Sequence, residues 1–200
     1  MPTLLLGTRN RGKVKEIMSI LQDVGWTFSS LEEFPSLESP EESGATYAEN
    51  AIVKARFYAT ATGRCALADD SGLEVHALAG APGVFSARYA GEGASDADRR
   101  ALLLSELTHV NDNERLARFV SAVAIAAADG TVLNVAEGIC EGKIIFAPRG
   151  QGGFGYDPLF VPDGYDQTFA ELPAEVKNVI SHRARALMQT AQFLKSCKAS

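Results

Sequence analysis

Residues 65–72 read Cys65-Ala66-Leu67-Ala68-Asp69-Asp70-Ser71-Gly72, a short apolar run that stops abruptly at two adjacent carboxylates. A run of this length predicts a buried strand, and ligands of open α/β sheets bind beyond the carboxyl ends of strands. Two neighbouring aspartates repel each other there, which is tolerable mainly where a cation sits between or beside them. Hard oxygen ligands suit Mg²⁺, which takes one or two carboxylates and completes its shell with water and substrate phosphates. An exposed turn is the alternative, since Asp, Ser and Gly are ordinary turn residues.

Two hundred residues suit one domain, with at most a subsidiary lobe. The net charge is −6 and the cations form no basic run, which argues against a duplex-binding surface but leaves room for a local anion pocket. No apolar stretch reaches membrane-spanning length, and residues 3–7 are too short for a signal peptide. Cys65, Cys140 and Cys197 are odd in number and far apart. That spacing suits a reduced cytosol better than a disulfide framework or a zinc site. His76, His109 and His182 lack metal-ligand spacing as well, so the expected metal is a hard one held by oxygen.

Along the chain, residues 3–7 predict a strand and Val14, Ile17, Met18 and Leu21 a helix with one buried stripe. The acidic, proline-broken segment 35–44 predicts a loop. A second helix is expected over 46–62, with Ala48, Ala51, Ile52, Ala55 and Ala59 forming a small-residue face. Strand 65–68 follows, with a further strand over 73–78, then a Gly- and Ala-rich loop over 79–94. Ser95 and Asp98 predict the start of a helix running to about 108. Segments 117–127 and 131–139 predict a hairpin turning at Asp129-Gly130. Strands around 141–146 and 159–161 and a final helix from about Ser181 complete a mixed-sheet α/β domain.

Several segments can carry chemistry. Thr8-Arg9-Asn10-Arg11-Gly12-Lys13 joins the first strand to the first helix, where backbone N–H groups and a lysine make a phosphate cradle. Gly7 to Lys13 also matches the GxxxxGK pattern, yet the next residue is Val14 where a P-loop needs a hydroxyl for Mg²⁺. Asn50 and Lys54 share a helix face, most simply a solvated one. Glu41 and Glu42 form a second acidic pair in the preceding loop. At the last helix, His182, Arg183 and Arg185 crowd cations into the first turn, against the macrodipole, at about 0.3–1 kcal/mol each when exposed. Lys177 adds to that cluster; a bound electron-rich ligand or solvent screening would offset the cost. The glycine-rich segment 150–157 places Phe154, Tyr156 and Asp157 where backbone can approach a ligand and a ring can stack on a base.

Together the segments resemble the inosine/xanthosine triphosphate pyrophosphatase family, the Ham1-like hydrolases, in its bacterial branch. The matching stretches are Thr8 to Lys13, Glu49-Asn50-Ala51 with Lys54-Ala55, Ala68 to Leu73, Gly80-Ala81-Pro82-Gly83 with Ser86-Ala87-Arg88, Gly153 to Pro158, and Ser181-His182-Arg183. The resemblance implies a single pyrophosphatase domain over 1–200: an elongated mixed β-sheet flanked by helices, in two lobes with the active site in the cleft between them. It implies Mg²⁺-dependent cleavage of ITP, dITP and XTP to the monophosphate and pyrophosphate by a cytoplasmic homodimer with no nucleic-acid or membrane partner. By motif, Thr8, Arg9, Asn10, Arg11, Gly12 and Lys13 would hold phosphate, with Lys54 assisting. Asp70 would be general base and metal ligand, Glu41 the second metal ligand, and Ser71 a substrate contact. Phe154, Gly155, Tyr156, Asp157, Lys177, His182 and Arg183 would hold and read the base. Geometry that sequence does not give decides between Asp69 and Asp70 as base, and between Glu41 and Glu42 at the metal. A P-loop enzyme and a nucleotide-binding regulator without turnover are the rival hypotheses.

Overall fold

The structure is a computed structural model that describes residues 1–197. Six strands form one mixed sheet: β1 (Thr3–Leu6), β2 (Thr27–Ser30), β3 (Ala66–Val75), β4 (Leu116–Ala126), β5 (Val132–Ile144) and β6 (Phe160–Pro162). Their order is β2-β1-β3-β4-β5-β6. β1 lies parallel to both β2 and β3, whereas β5 and β6 run antiparallel. The helices are α1 (Arg11–Ile20), α2 (Tyr47–Thr62), α3 (Asp96–Glu106), α4 (Ala174–Ile180) and α5 (His182–Ser196). A mixed-sheet α/β protein was the expected class, and that is the class observed.

The described residues divide into two compact units, one of residues 1–70, 121–138 and 182–197, the other of 71–120 and 139–181. Each has its own apolar core. In the first, Leu4 and Leu6 of β1 and Leu67 of β3 pack with Ile17, Val123, Ile125, Leu187 and Leu194. In the second, Leu73 and Val75 pack with Leu103, Leu107, Ile144 and the rings of Phe119, Phe160 and Phe169.

Local signals explain most elements. The Ser95–Asp98 capping box opens α3 and a second box, Thr46 with Glu49, opens α2. The Asp129-Gly130 hairpin forms, with the Thr131 N–H donating to Asp129 Oδ1 at 2.9 Å and the Gly130 N–H to the Ala127 carbonyl at 2.8 Å. Four expectations need correction. β3 does not stop at the aspartates but runs through Asp69, Asp70, Ser71 and Gly72 to Val75. β5 likewise continues to Ile144 with no break near 140. Met18 is 48% exposed, so the inner stripe of α1 is narrower than its periodicity suggested. β2 and α4 had no counterpart in the expected elements. β2 reads Thr-Phe-Ser-Ser and lies at the sheet edge, where alternation is weak, and α4 is only seven residues long.

Gly138 sets how closely β5 and α5 approach. A Cβ there would lie 2.2 Å from the His182 carbonyl oxygen and 2.6 Å from the Ala186 nitrogen, both rigid backbone atoms. Gly138→Ala therefore forces strand and helix apart, an overpacking cost of about 1–3 kcal/mol. The expected result is a Tm about 2–12 °C lower by calorimetry. An unchanged Tm would contradict this close approach.

Candidate active site

The capping box at Thr46 fixes the entry of α2, so Asn50 and Lys54, one turn apart, face β3 instead of solvent. Both are buried, at 0% and 7% exposure, which overturns the solvated face expected for the pair. Asn50 Nδ2 donates to Asp70 Oδ2 at 3.2 Å, and its Oδ1 accepts the Gly44 N–H at 2.8 Å. Lys54 Nζ donates to Asp70 Oδ1 at 2.8 Å and to Glu42 Oε1 at 2.8 Å. One ammonium thus bridges two carboxylates, one on the strand and one on the acidic loop.

Consecutive strand residues project to opposite faces, and Asp69 takes different hydrogen-bonding partners from Asp70. Lys13 Nζ in the first turn of α1 lies 3.0 Å from Asp69 Oδ2. Arg183 Nε in the first turn of α5 donates to the same oxygen at 3.1 Å, and Arg183 Nη1 donates to Glu16 Oε2 at 2.6 Å. Asp69 and Arg183 are 2% and 1% exposed. The cations crowded at the start of α5 are thus balanced in part by buried acids of β3 and α1. Arg183 is an ion-pair hub here, tying Asp69 of β3 to Glu16 of α1. Glu16 was missed, and the signal for it was the excess of cations at residues 182–185, which requires acids from elsewhere in the chain.

Protonation follows from these partners. Burial alone would raise the Asp69 pKa, but Lys13, then Arg183 and Lys54, hold it well below the ordinary carboxylate range. Asp70 moves the other way: burial raises its pKa, and the opposing pull of Lys54 does not cancel that. Burial lowers the Lys13 pKa despite Asp69, whereas for Lys54 Asp70, Asp69 and Glu42 outweigh burial and raise it. One strand therefore carries a firmly ionised aspartate beside one suited to accept a proton.

The phosphate-cradle candidates divide. Asn10 caps α1, its Oδ1 accepting the Lys13 N–H at 3.1 Å, and Thr8 Oγ1 accepts the Asn10 N–H at 3.2 Å. Arg11 is exposed, and Gly12 and Lys13 are half-buried. Arg9 is committed elsewhere: its guanidinium donates to the carbonyls of Leu31, Phe34 and Leu37 at 3.3, 3.0 and 2.7 Å, stapling the segment that leads to the acidic loop. Ser71 follows Asp70 in β3 and is half-buried. Glu41, expected at the metal, is exposed, and its neighbour Glu42 is the residue tied to Lys54.

In the second unit, Phe154 and Gly155 are half-exposed, but Tyr156, Asp157 and Lys177 are buried, at 4%, 3% and 5%. Tyr156 donates its hydroxyl to the Ser86 carbonyl at 3.0 Å. Asp157 Oδ2 accepts the Phe154 N–H at 2.8 Å and Lys177 Nζ at 2.5 Å. The Lys177 ammonium also lies 5.0 Å from the Phe154 ring centroid. Gly153 is dictated by this arrangement: its φ is +68°, and a Cβ would sit 2.0 Å from Asp157 Oδ2. Tyr156 and Asp157 therefore support the loop from inside, while Phe154 and Gly155 form its outer surface. His182, at the start of α5, is buried at 4% exposure.

The Ham1 family model matches residues 4–193, and the chain belongs to that family. It is 52% identical over 191 residues to the dITP/XTP pyrophosphatase of Desulforamulus reducens, covering 96% of this chain and 94% of the relative. The corresponding protein of Geobacter sulfurreducens is 51% identical, with 94% of each chain covered. A solved HAM1 protein from Coxiella burnetii superposes with a TM-score of 0.88 at 43% identity, covering 98% of this chain and 100% of the other.

Because its folded-state pKa lies below its unfolded value, Asp69 contributes stability that is present above about pH 5. That stability is lost as pH falls below the unfolded value of about 3.9 and on through the folded one. Asp69→Asn leaves Lys13 without its buried counter-charge and Arg183 with Glu16 alone. It should cost about 3–5 kcal/mol at pH 7 and flatten the acid limb of a stability–pH curve measured by urea unfolding. An Asp69→Asn protein as stable as wild type at pH 7 would contradict the hub.

Proposed function

We propose that the chain hydrolyses non-canonical purine nucleoside triphosphates (dITP, XTP and ITP) to the monophosphate and pyrophosphate. The observation that carries this is the shared ammonium: Lys54 bridges Asp70 and Glu42 in a chain of the Ham1 family. The names of its relatives, dITP/XTP pyrophosphatases, support the substrate class.

The reaction is proposed to need Mg²⁺. Among the described residues, no group of three or more His, Cys, Asp or Glu side chains is placed to hold a metal ion. The donors instead fit an open site. Asp70 and one residue of the 41–42 pair would supply carboxylates, and water and substrate oxygens would fill the rest. Glu42 is the better placed of that pair, since it already shares a cation with Asp70. When bound, the metal would neutralise phosphate charge and acidify a coordinated water.

The chain's own groups supply the remainder. The N–H groups at the start of α1, with Thr8, Arg11 and Lys13, receive phosphate oxygens, and Lys54 offsets their charge. Arg9 serves this cradle indirectly, through the loop it staples. Asp70 orients a water toward the α-phosphorus and takes its proton; the new P–O bond forms as the bond to the β-phosphate breaks, releasing pyrophosphate. Its raised pKa suits a proton acceptor. The Phe154 ring offers a stacking plane for the base. Lys177, His182 and Arg183, all of them hydrogen-bond donors when protonated, are the candidates for hydrogen bonds to a 6-oxo group. Adenine presents an amino donor there, and each unmatched buried group costs about 1–3 kcal/mol. Homodimerisation and a cytoplasmic setting belong to the same proposal. The free thiols of Cys65, Cys140 and Cys197 are compatible with a reducing compartment.

Product identification tests the reaction. With XTP and Mg²⁺, monophosphate and pyrophosphate are expected in equal amounts. Diphosphate and phosphate would favour a P-loop type of enzyme, and unchanged XTP with tight binding would favour a regulator. Either outcome overturns the proposal. Lys13→Ala should lower kcat/KM for XTP by about 10–150-fold, the worth of one hydrogen bond to a charged group. An unchanged kcat/KM would remove Lys13 from the phosphate site.

A further inference from the structure

One helix holds both backbone polar groups of Gly155. The Gly155 N–H donates to Asp96 Oδ2 at 2.7 Å, and its carbonyl accepts from Arg100 Nη1 at 2.7 Å. Asp96 and Arg100 are four residues apart on α3 and so share a face. The clamp is itself braced. Arg99 pairs with Asp96 and donates to the carbonyls of Ala87 and Ala94 at 2.7 and 2.8 Å. The capping box at Ser95 and Asp98 fixes the start of the helix.

The clamped stretch lies at the surface of its loop. Phe154 and Gly155 are half-exposed, Gly155 has φ +59°, and nothing lies within 4 Å of where its Cβ would be. Three hydrogen bonds to charged groups therefore immobilise a short piece of backbone that carries one ring and one open edge: Asp157 on the Phe154 N–H, and Asp96 and Arg100 on Gly155. The buried neighbours Tyr156 to Phe160 already anchor the loop, so packing does not account for the added restraint. Holding a glycine-rich segment in its bound conformation removes ordering entropy that a ligand would otherwise have to offset.

We propose that Asp96 and Arg100 are positioning residues that hold Phe154 and Gly155 in register for the purine base, so that discrimination between triphosphates depends on α3. This rests on the pyrophosphatase reading above. Neither residue would touch the substrate; each acts through the peptide of Gly155.

The test is steady-state kinetics of the full chain, with pyrophosphate, a product that lacks the base, as a competing inhibitor. Arg100→Ala and Asp96→Ala should raise KM for XTP about tenfold, leave kcat within about threefold, and leave the inhibition constant of pyrophosphate unchanged. Arg100→Lys, which keeps a donor, should restore KM to within about threefold of wild type. The ratio of kcat/KM for XTP over ATP should fall about tenfold in the alanine variants. An unchanged KM overturns the clamp. So does a lower kcat at constant KM, an equal shift for pyrophosphate, or Arg100→Lys behaving like Arg100→Ala. If neither Arg100 variant folds by circular dichroism, the role is structural and the proposal falls. If wild type releases no pyrophosphate from XTP, the pyrophosphatase reading itself fails.

Discussion

The first unit depends on one buried carboxylate oxygen, Asp69 Oδ2, shared by Lys13 of α1 and Arg183 of α5. These charges come from segments far apart in sequence, and Glu16 joins them through the second arm of Arg183. Burying a charge costs several kcal/mol, which is recovered only when partners and geometry are good. The cluster therefore has little tolerance for rearrangement. It sets α1, β3 and α5 in one register, and it fixes where Asp70, the next residue of β3, must point.

Two adjacent aspartates then do different work because a strand sends them to opposite faces. Asp69 is held ionised by its cations, whereas burial leaves Asp70 easier to protonate, with Lys54 and Asn50 orienting both of its oxygens. Environments that push neighbouring carboxylates apart in pKa commonly separate a structural or electrostatic role from an acid–base one. The sequence posed a cation between the aspartates as the relief of their repulsion. In the fold, lysine and arginine side chains supply much of that relief, Asp69 by Lys13 and Arg183 and Asp70 by Lys54.

Much of this was legible beforehand, where the signal is local. The Ser95–Asp98 capping box, the Asp129-Gly130 turn and the apolar run of β1 each fix their element within a few residues, and the apolar run of β3 fixes where that strand begins. The gathering of Lys13, Lys54 and Asp70 was also anticipated, through motif order. What could not be read were choices made by distant partners. Strand β3 continues through two carboxylates only because Lys13, Lys54 and Arg183 meet them there. Lys54 and Asn50 looked solvated because their acceptor lies on another element. The ion pairing of Arg183 could not be read because Glu16 lies 167 residues away. Tyr156 and Asp157 looked exposed beside glycines, yet Ser86 and Lys177 draw them inward.

The assignment of Asp70 to chemistry and not to architecture is tested most directly by Asp70→Asn, assayed for pyrophosphate release from XTP and for Tm on the same preparation. Removing a general base should lower turnover by about 10²–10⁴-fold. Lys54 keeps Glu42 as a counter-charge and the amide keeps the shape of the carboxylate, so the variant should remain folded. A folded Asp70→Asn protein that turns over XTP within about threefold of wild type would contradict the central role given to this residue.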